Sequence, residues 1–255
     1  MPSFYIPIKW TDSDLNTKMS IDGDEFHHIV NVSRYRVKDE IVLTNGMGQL
    51  AYGYINSISK KNAEIHLQKI ESYQMGSPEI AIAFSLLKNK NDLWIIEKLT
   101  ELGVRHFFPM ETRYSVRRIV DNKNKEHDPI QDKMIKTAIA AIKQCDNAYL
   151  PVVHSVTPLN ETIHKVHDLG FTALVASEKE KETSLSSLYQ SLYPKPVCVF
   201  IGPEGGFHPE EFSLFMNEGL QTFTLGNHIL RAETAAITVS SVILSVMLQQ
   251  NPQYY

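Results

Sequence analysis

The sequence predicts an α/β protein in two parts: a small β-rich domain over residues 1–74 and a larger domain over residues 75–255 built on a mostly parallel sheet. Three observations carry this. The first seventy residues hold short apolar runs broken by polar turns, the pattern of a small barrel or curled sheet. After the break at Glu71 to Pro78 the rhythm changes to strand, helix, strand, helix, which reads as βαβ units. Late in the chain, two apolar runs open into glycine-bearing loops, Phe200 to Phe207 and Leu225 to Ala235. Loops of that kind at one edge of a parallel sheet form a crevice where backbone can approach a ligand closely.

The bulk numbers set the class. A chain of 255 residues can bury a full core. Apolar content of 43% and charged content of 21% are those of an ordinary globular protein. No apolar run looks long enough to span a bilayer, so no membrane partner is expected. The N-terminus, Met1-Pro2-Ser3-Phe4-Tyr5, lacks the basic-then-apolar order of a signal peptide. The two cysteines, Cys145 and Cys198, make neither a disulfide framework nor a zinc site, and a reducing, cytoplasmic setting is the default. A formal charge of −4 argues against nucleic-acid binding driven by bulk charge, though not against a local basic patch.

In the N-terminal part, Phe26, Ile29 and Val30 mark a short helix. Ile41 to Leu43 is a strand, Asn45-Gly46 a hairpin turn, Leu50 to Ile55 the returning strand and Ala63 to Leu67 a third. His27-His28 is no metal pair, since adjacent helical residues face different ways. Arg34, Arg36 and Lys38, with Tyr35 between them, are either a solvated face or phosphate contacts.

In the second part, Glu79 to Ser85 is a strand with apolar residues on both faces. A helix with Ile95, Ile96, Leu99 and Leu102 at helical spacing follows, stopped by Gly103. Val104 to Met110 is the next strand. The polar connection after it holds Arg113, Arg117, Arg118, Lys123 and Lys125, with Tyr114 among them. It is either a polyanion contact or a surface loop with scattered charge. Asp128-Pro129 opens a helix whose apolar stripe runs from Ile130 to Cys145. Thr157-Pro158 opens another, ended by Gly170. Phe171 to Ala176 is a strand, Ser184 caps a short helix, and Val197 to Ile201 is the strand that delivers the first glycine loop. Pro209-Glu210-Glu211 starts a helix with Phe212, Phe215 and Met216 toward the core. Gln221 to Leu225 is the last strand, and a long apolar helix covers Glu233 to Gln249.

Gly202-Pro203-Glu204-Gly205-Gly206 is neither a P-loop nor a dinucleotide fingerprint, because it lacks Gly-Lys-Ser/Thr and its glycine spacing is wrong. Pro203 also removes an N–H that a phosphate cradle would use. Backbone groups, one glutamate and the Arg231/Glu233 pair suit instead the edge of a purine and the amine or carboxylate of an amino-acid-like group. No His/Cys/Asp/Glu cluster has metal-ligand spacing.

Ile201-Gly202-Pro203-Glu204-Gly205-Gly206, followed by Leu225-Gly226, Ile229-Leu230-Arg231 and Glu233-Thr234-Ala235, resembles the RsmE-type 16S ribosomal RNA uridine-N3 methyltransferases of the SPOUT superfamily. His27 to Val32, Asp39-Glu40-Ile41, Lys98 with Glu101 to Val104, and Thr112 to Ser115 also resemble that family, so the likeness covers nearly the whole chain. His228 and Asn147 stand where the family usually has arginine. The resemblance implies an RNA-binding PUA-like β-barrel fused to a trefoil-knotted α/β domain that binds S-adenosylmethionine and works as a homodimer on ribosomal RNA or the small ribosomal subunit. It places the cofactor against Leu174 and Ala176, against Ile201, Gly202, Pro203, Gly205 and Gly206, and against Leu225, Gly226, Asn227, Ile229, Leu230 and Thr234. With that chemistry, Arg231 is the candidate cation beside a forming uridinate, and Glu204 or Glu233, or water, the proton acceptor. Glu233 is equally readable as a first-turn helix carboxylate. Two other readings stand beside this one: a knotted methyltransferase acting on another RNA such as transfer RNA, and a non-catalytic RNA-binding assembly factor. A nucleotide hydrolase lacks the phosphate-loop lysine.

Overall fold

In the computed structural model, residues 3–115 and 128–251 are described. The chain divides into two compact units, Met1–Met75 with Ile139–Leu150, and Gly76–Ala138 with Pro151–Tyr255.

Among the described residues the first unit holds a five-stranded sheet. Its strands are β1 (Phe4–Tyr5), β2 (Lys18–Ile21), β3 (Glu40–Thr44), β4 (Gln49–Ile58) and β5 (Ala63–Ser72), in the order β1-β3-β4-β5-β2. Helix α1 (Gly23–His27) lies between β2 and β3 and continues into a wider π turn over His28–Val32. β3 and β4 pair antiparallel around the four-residue Asn45–Gly48 turn, where Gly46 and Gly48 take positive φ and the Asn45 Oδ1 accepts from the amides of Met47 and Gln49. β4 and β5 pair antiparallel with register shifts at Tyr52/Gly53 and Ile55/Ser57. β5 runs five residues beyond the expected Leu67, and β1 and β2, too short to show a period, are additions to the expected strands. Phe4, Trp10, Ile21, Ile29, Ile41, Leu43, Ile55 and Ile65 fill the core.

The segment Ile139–Leu150 completes this unit. Lys143 Nζ donates to both oxygens of Glu25 (2.7 and 3.0 Å) and to His28 Nδ1 (3.1 Å), and stands 5.6 Å from the centre of the Phe4 ring. Burial, and then the Lys143 charge, hold the His28 imidazole below its ordinary pKa, which suits a ring that accepts this bond as a neutral base. Ser3 N donates to the Lys143 carbonyl (2.8 Å), Thr44 Oγ1 to that of Asn147 (3.1 Å) and Gly48 N to that of Ala148 (2.8 Å).

The second unit alternates strand and helix as expected: β6 (Ile80–Ser85), α2 (Asn91–Glu101), β7 (His106–Glu111), α3 (Pro129–Cys145, of which the residues from Ile139 belong to the first unit), β8 (Val152–Val153), β9 (Thr157–Pro158), α4 (Leu159–Asp168), β10 (Thr172–Ala176), α5 (Leu185–Leu192), β11 (Val197–Ile201), α6 (Pro209–Asn217), β12 (Gln221–Phe223) and α7 (Ala232–Gln250). All the pairings are parallel, in the order β12-β10-β11-β6-β7-β8, with β9 also on β7. β6 and β11 are buried along their whole length, as central strands covered on both faces must be. On one face Ala81, Ala83, Phe108, Cys198 and Phe200 pack with Ile163 and Val166 of α4 and Phe215 of α6. On the other, α7 packs on β6 and β11 with α2 and α5 beside it. Cys198 sits in this core, and burial pushes its thiol well above the ordinary range, so it is inert.

Two expectations are corrected. Met216 is 53% exposed rather than core-facing, because one residue past Phe215 turns a side chain about 100° around the helix axis. α7 is long and apolar enough, by length and composition, to cross a membrane, whereas the sequence showed no such run. Its serines and threonines interrupt the apolar letters without making the helix polar. Half of its most apolar window is buried inside the protein, as in a core helix.

At the amino end of β7 two imidazoles stack. His154 lies flat on Phe108, with ring centres 4.1 Å apart and planes 7° apart. Glu79 is an acceptor, so His106 Nε2–H points to it (3.1 Å), and His106 Nδ1 then accepts from His154 Nε2–H (3.2 Å). Burial, then His106 and Lys165, lowers the His154 pKa to about 4, and burial lowers that of His106 as well. A histidine whose folded pKa lies below its unfolded one costs nothing at neutral pH. Its cost grows as pH falls from the ordinary 6.5 toward about 4, where the unfolded chain takes up the proton first. Lost stability on the order of 2 kcal/mol is expected across that window, discounted for the ring's partial exposure. His154→Phe, which keeps the stack on Phe108, should flatten the fall in Tm over the same pH range. An equally steep fall in the variant would exclude His154 as its source.

Candidate active site

Loops diverge from the carboxyl ends of parallel strands, and ligands bind where they part. Here β10, β11 and β12 deliver three loops around a cleft of about 390 Å³, a volume suited to a small molecule. Ala176, Ser177 and Glu178 form one wall. Ile201 through Phe207 form the second. Thr224 to Gly226, His228 to Leu230, and Arg231, Ala232 and Ala235 at the start of α7 form the third.

Hydrogen bonds lace the first and third walls together. Ser177 N donates to the Phe223 carbonyl (3.0 Å), and Thr224 N to that of Thr183 (2.8 Å). Glu180 Oε1 accepts from the amides of Lys181, Glu182 and Thr183, while its other oxygen takes the Thr222 hydroxyl (3.1 Å). The amides of Glu182 and Thr183 and the Thr222 hydroxyl hold the Glu180 carboxyl below its ordinary pKa. The second wall closes on itself through Gly206 N to the Pro203 carbonyl (2.9 Å).

Two glycines of this wall, Gly202 and Gly206, answer to the protein itself, while Gly205 only touches its neighbour. A Cβ on Gly202 would lie 3.2 Å from the Phe207 ring, and one on Gly205 would lie 3.4 Å from Tyr114 Cβ. Gly206 holds φ +70°, a conformation open to glycine at little cost. In the third wall Gly226 has open space around it but a φ of +120°.

Of the predicted cofactor contacts, Ala176, Ile201, Gly202, Pro203, Gly205, Gly206, Leu225, Gly226, Ile229 and Leu230 line the cleft; Leu174 is buried within β10, and Asn227 and Thr234 lie outside the lining. Arg231 and Glu204 both line it. Among the described residues the Arg231 guanidinium has no side-chain partner. Glu204 is exposed, and its Oε1 accepts from Lys88 N (3.2 Å). Glu233 is not part of the lining; it accepts from Asn91 Nδ2 of α2 (3.2 Å), which explains a carboxylate in the first turn of α7. Ser177, Glu178, Thr224, Ala232 and Ala235 also line the cleft and were not named as site residues by sequence; His228, noted there as standing where the family has arginine, lines it too. Ala232 and Ala235 could have been found from their i, i+3 spacing on one face of a helix.

Arg34 and Arg36 are exposed in the first unit, flanking Tyr35, whose ring packs edge-on to Phe4. Arg113 is exposed in the second unit, with its guanidinium paired to Glu210. Arg117 and Arg118 lie outside the described residues.

The chain's similarities agree with this architecture. The family described as RNA methyltransferase domain matches residues 75–244, and that described as RNA methyltransferase PUA domain matches residues 21–68. The chain is 30% identical over 248 residues to the ribosomal RNA small subunit methyltransferase E of Bacillus subtilis (strain 168), covering 95% of this chain and 96% of that one. Among solved structures it is similar to a probable rRNA-methyltransferase from Porphyromonas gingivalis (27% identity, TM-score 0.75, 98% of this chain and all of that one). It also shares the fold of a ribosomal RNA small subunit methyltransferase E from Neisseria gonorrhoeae bound to S-adenosyl methionine (24% identity, TM-score 0.81, 96% and 98%). A match across both parts of the chain, on the very strands whose loops enclose the cleft, makes this protein a member of the RNA methyltransferase family.

Proposed function

We propose that this protein is an S-adenosylmethionine-dependent methyltransferase that modifies N3 of a uridine in small-subunit ribosomal RNA. The observation that carries this reading is the cleft: backbone-rich walls from three adjacent parallel strands, few charges, and on the rim Arg231, whose guanidinium has no side-chain partner among the described residues. The residues fit the cofactor. Ile201, Leu225, Leu230 and Ala235 offer apolar surface for a purine, and the carboxylates of Glu178 and Glu204 suit a molecule that carries an ammonium and a sulfonium. When bound, that cofactor supplies an electrophilic methyl group. The chain's own residues hold and orient the uridine and manage its N3 proton. Arg231 stabilises the negative charge that develops as the N3–H is lost. Glu204, with one oxygen engaged by the Lys88 amide, keeps lone pairs to accept that proton or to orient Arg231. Glu233 holds the start of α7 through Asn91 and so sets where Arg231 stands.

The first unit, the PUA-like part, supplies RNA contacts through Arg34 and Arg36, while Arg113, paired to Glu210, borders the RNA path without giving up that pair. The second unit is read as trefoil-knotted, on the resemblance of its loop motifs. A homodimer would cover the groove floored by Leu102, just past α2, and by Leu244 and Leu248 on α7, and sedimentation of the protein tests that.

Small-subunit RNA from cells with and without this protein should differ by one reverse-transcription stop, since a methyl on N3 blocks the Watson–Crick edge. Nucleoside mass spectrometry should find the matching methyluridine. Identical RNA from both cells would overturn the assignment, and a change confined to transfer RNA would redirect it.

A further inference from the structure

Tyr114 takes no part in the cleft, yet it is built into its outer side. The ring lies on Gly205: a Cβ there would stand 3.4 Å from Tyr114 Cβ and 3.6 Å from its Cγ and Cδ2. It meets the His208 ring edge-on, with centres 5.6 Å apart and planes at 70°. The turn that carries it is pinned from both sides. Ser85, Thr112 and Ser115 form a buried hydroxyl cluster (Ser85 Oγ to Thr112 Oγ1 3.0 Å, Thr112 Oγ1 to Ser115 Oγ 2.9 Å). Arg113 N donates to Glu211 Oε1 (2.8 Å), and the Arg113 guanidinium pairs with Glu210. Glu211 in turn accepts from His208 N (2.7 Å) at the head of α6.

A tyrosine held this firmly and still 47% exposed presents a fixed aromatic face to solvent. Its backing residue, Gly205, lines the cleft on the other side. A molecule resting on Tyr114 is therefore outside the cleft but against its wall, the place of the second reactant rather than of the cofactor. The charges nearby, Glu204, Glu210 and Glu211 with Arg113 paired, do not favour a phosphate. A base has a π face that needs no cation, and stacking on an aromatic ring is how single-stranded RNA is held without one.

We propose that Tyr114 is the stacking platform for an RNA base at the mouth of the cleft, a positioning residue for substrate. This rests on the RNA methyltransferase reading above. The test uses the full-length protein and a short single-stranded RNA containing 2-aminopurine, whose fluorescence falls when the base stacks. Wild type should quench it. Tyr114→Ala should lose the quench and weaken RNA binding by about 5- to 150-fold, the range one base–aromatic stack carries. Tyr114→Phe should restore both. Affinity for S-adenosylhomocysteine, measured by calorimetry, and Tm should stay at wild-type values in both variants, and with small-subunit RNA as substrate Tyr114→Ala should raise KM rather than lower kcat. Unchanged RNA binding in Tyr114→Ala, weakened cofactor binding with RNA affinity intact, or failure of Tyr114→Phe to rescue would each overturn the proposal. If wild type binds and quenches the RNA but transfers no methyl group, the functional reading fails while the platform stands.

Discussion

Arg231→Ala is expected to lower the rate of methyl transfer by about 10²- to 10³-fold, the usual loss when one preorganised donor to a developing anion is removed. Arg231 caps α7 with φ −63° and ψ 152°, so its backbone is extended and its side chain leaves the helix axis toward the cleft. Among the described residues no carboxylate neutralises it. A guanidinium kept unpaired at the rim of a site is available to an anion that exists only during reaction, and such a contact raises kcat rather than ground-state affinity. Calorimetry with S-adenosylhomocysteine should therefore give a Kd for the variant close to wild type while single-turnover methylation collapses. Arg231→Lys should recover part of the rate, since it keeps the charge and loses the planar fork. Full activity in Arg231→Ala would remove the residue from the mechanism and leave Glu204 to be tested alone.

The second large effect concerns the first unit and is purely steric. Gly53 sits at the register shift where β4 crosses β5, and a Cβ there would stand 2.2 Å from the His66 carbonyl oxygen and 3.0 Å from its carbonyl carbon. Both atoms are backbone in the middle of a paired strand, so neither can swing aside as a side chain would. Gly53→Ala must open the ladder at that point. A loss of about 3 kcal/mol or more is expected, at the upper end of overpacking costs. Urea unfolding followed by circular dichroism would measure it, and an unshifted midpoint would mean that the register across Tyr52 and Gly53 is not the one described.

Much of this architecture was legible in the letters because local chemistry determined it. Gly103 and Gly170 end helices with φ of +79° and +81°, and each stop could be read directly. Ser184 caps α5 through its bond from Ser187 N, and Pro209 opens α6. β6 and β11 showed unbroken apolar runs because both of their faces are covered. What escaped was non-local. β8 and β9 are two residues each and exist only because β7 lies beside them. The side chain of Asn91, at the start of α2, reaches Glu233, 142 positions away. The glycines of the Gly202–Gly206 loop were read as a place where a ligand comes close, whereas the approaches the structure shows are by Phe207, Tyr114 and Glu178, residues of this chain. Glu178 and Thr224 were not named individually, since which residues of three loops face one cleft is a property of strand order.

The twelve residues from Ile139 to Leu150 bear on how the protein can be taken apart. A break near Met75 looks like the natural place to excise the N-terminal half, and such a fragment would carry all five of its strands. It would also leave Glu25 without the Lys143 ammonium and Thr44 and Gly48 without the carbonyls they now meet. The unit is therefore discontinuous in the gene while continuous in space. It cannot be transplanted as a cassette, and during synthesis it stays incomplete until the ribosome has passed the end of α3.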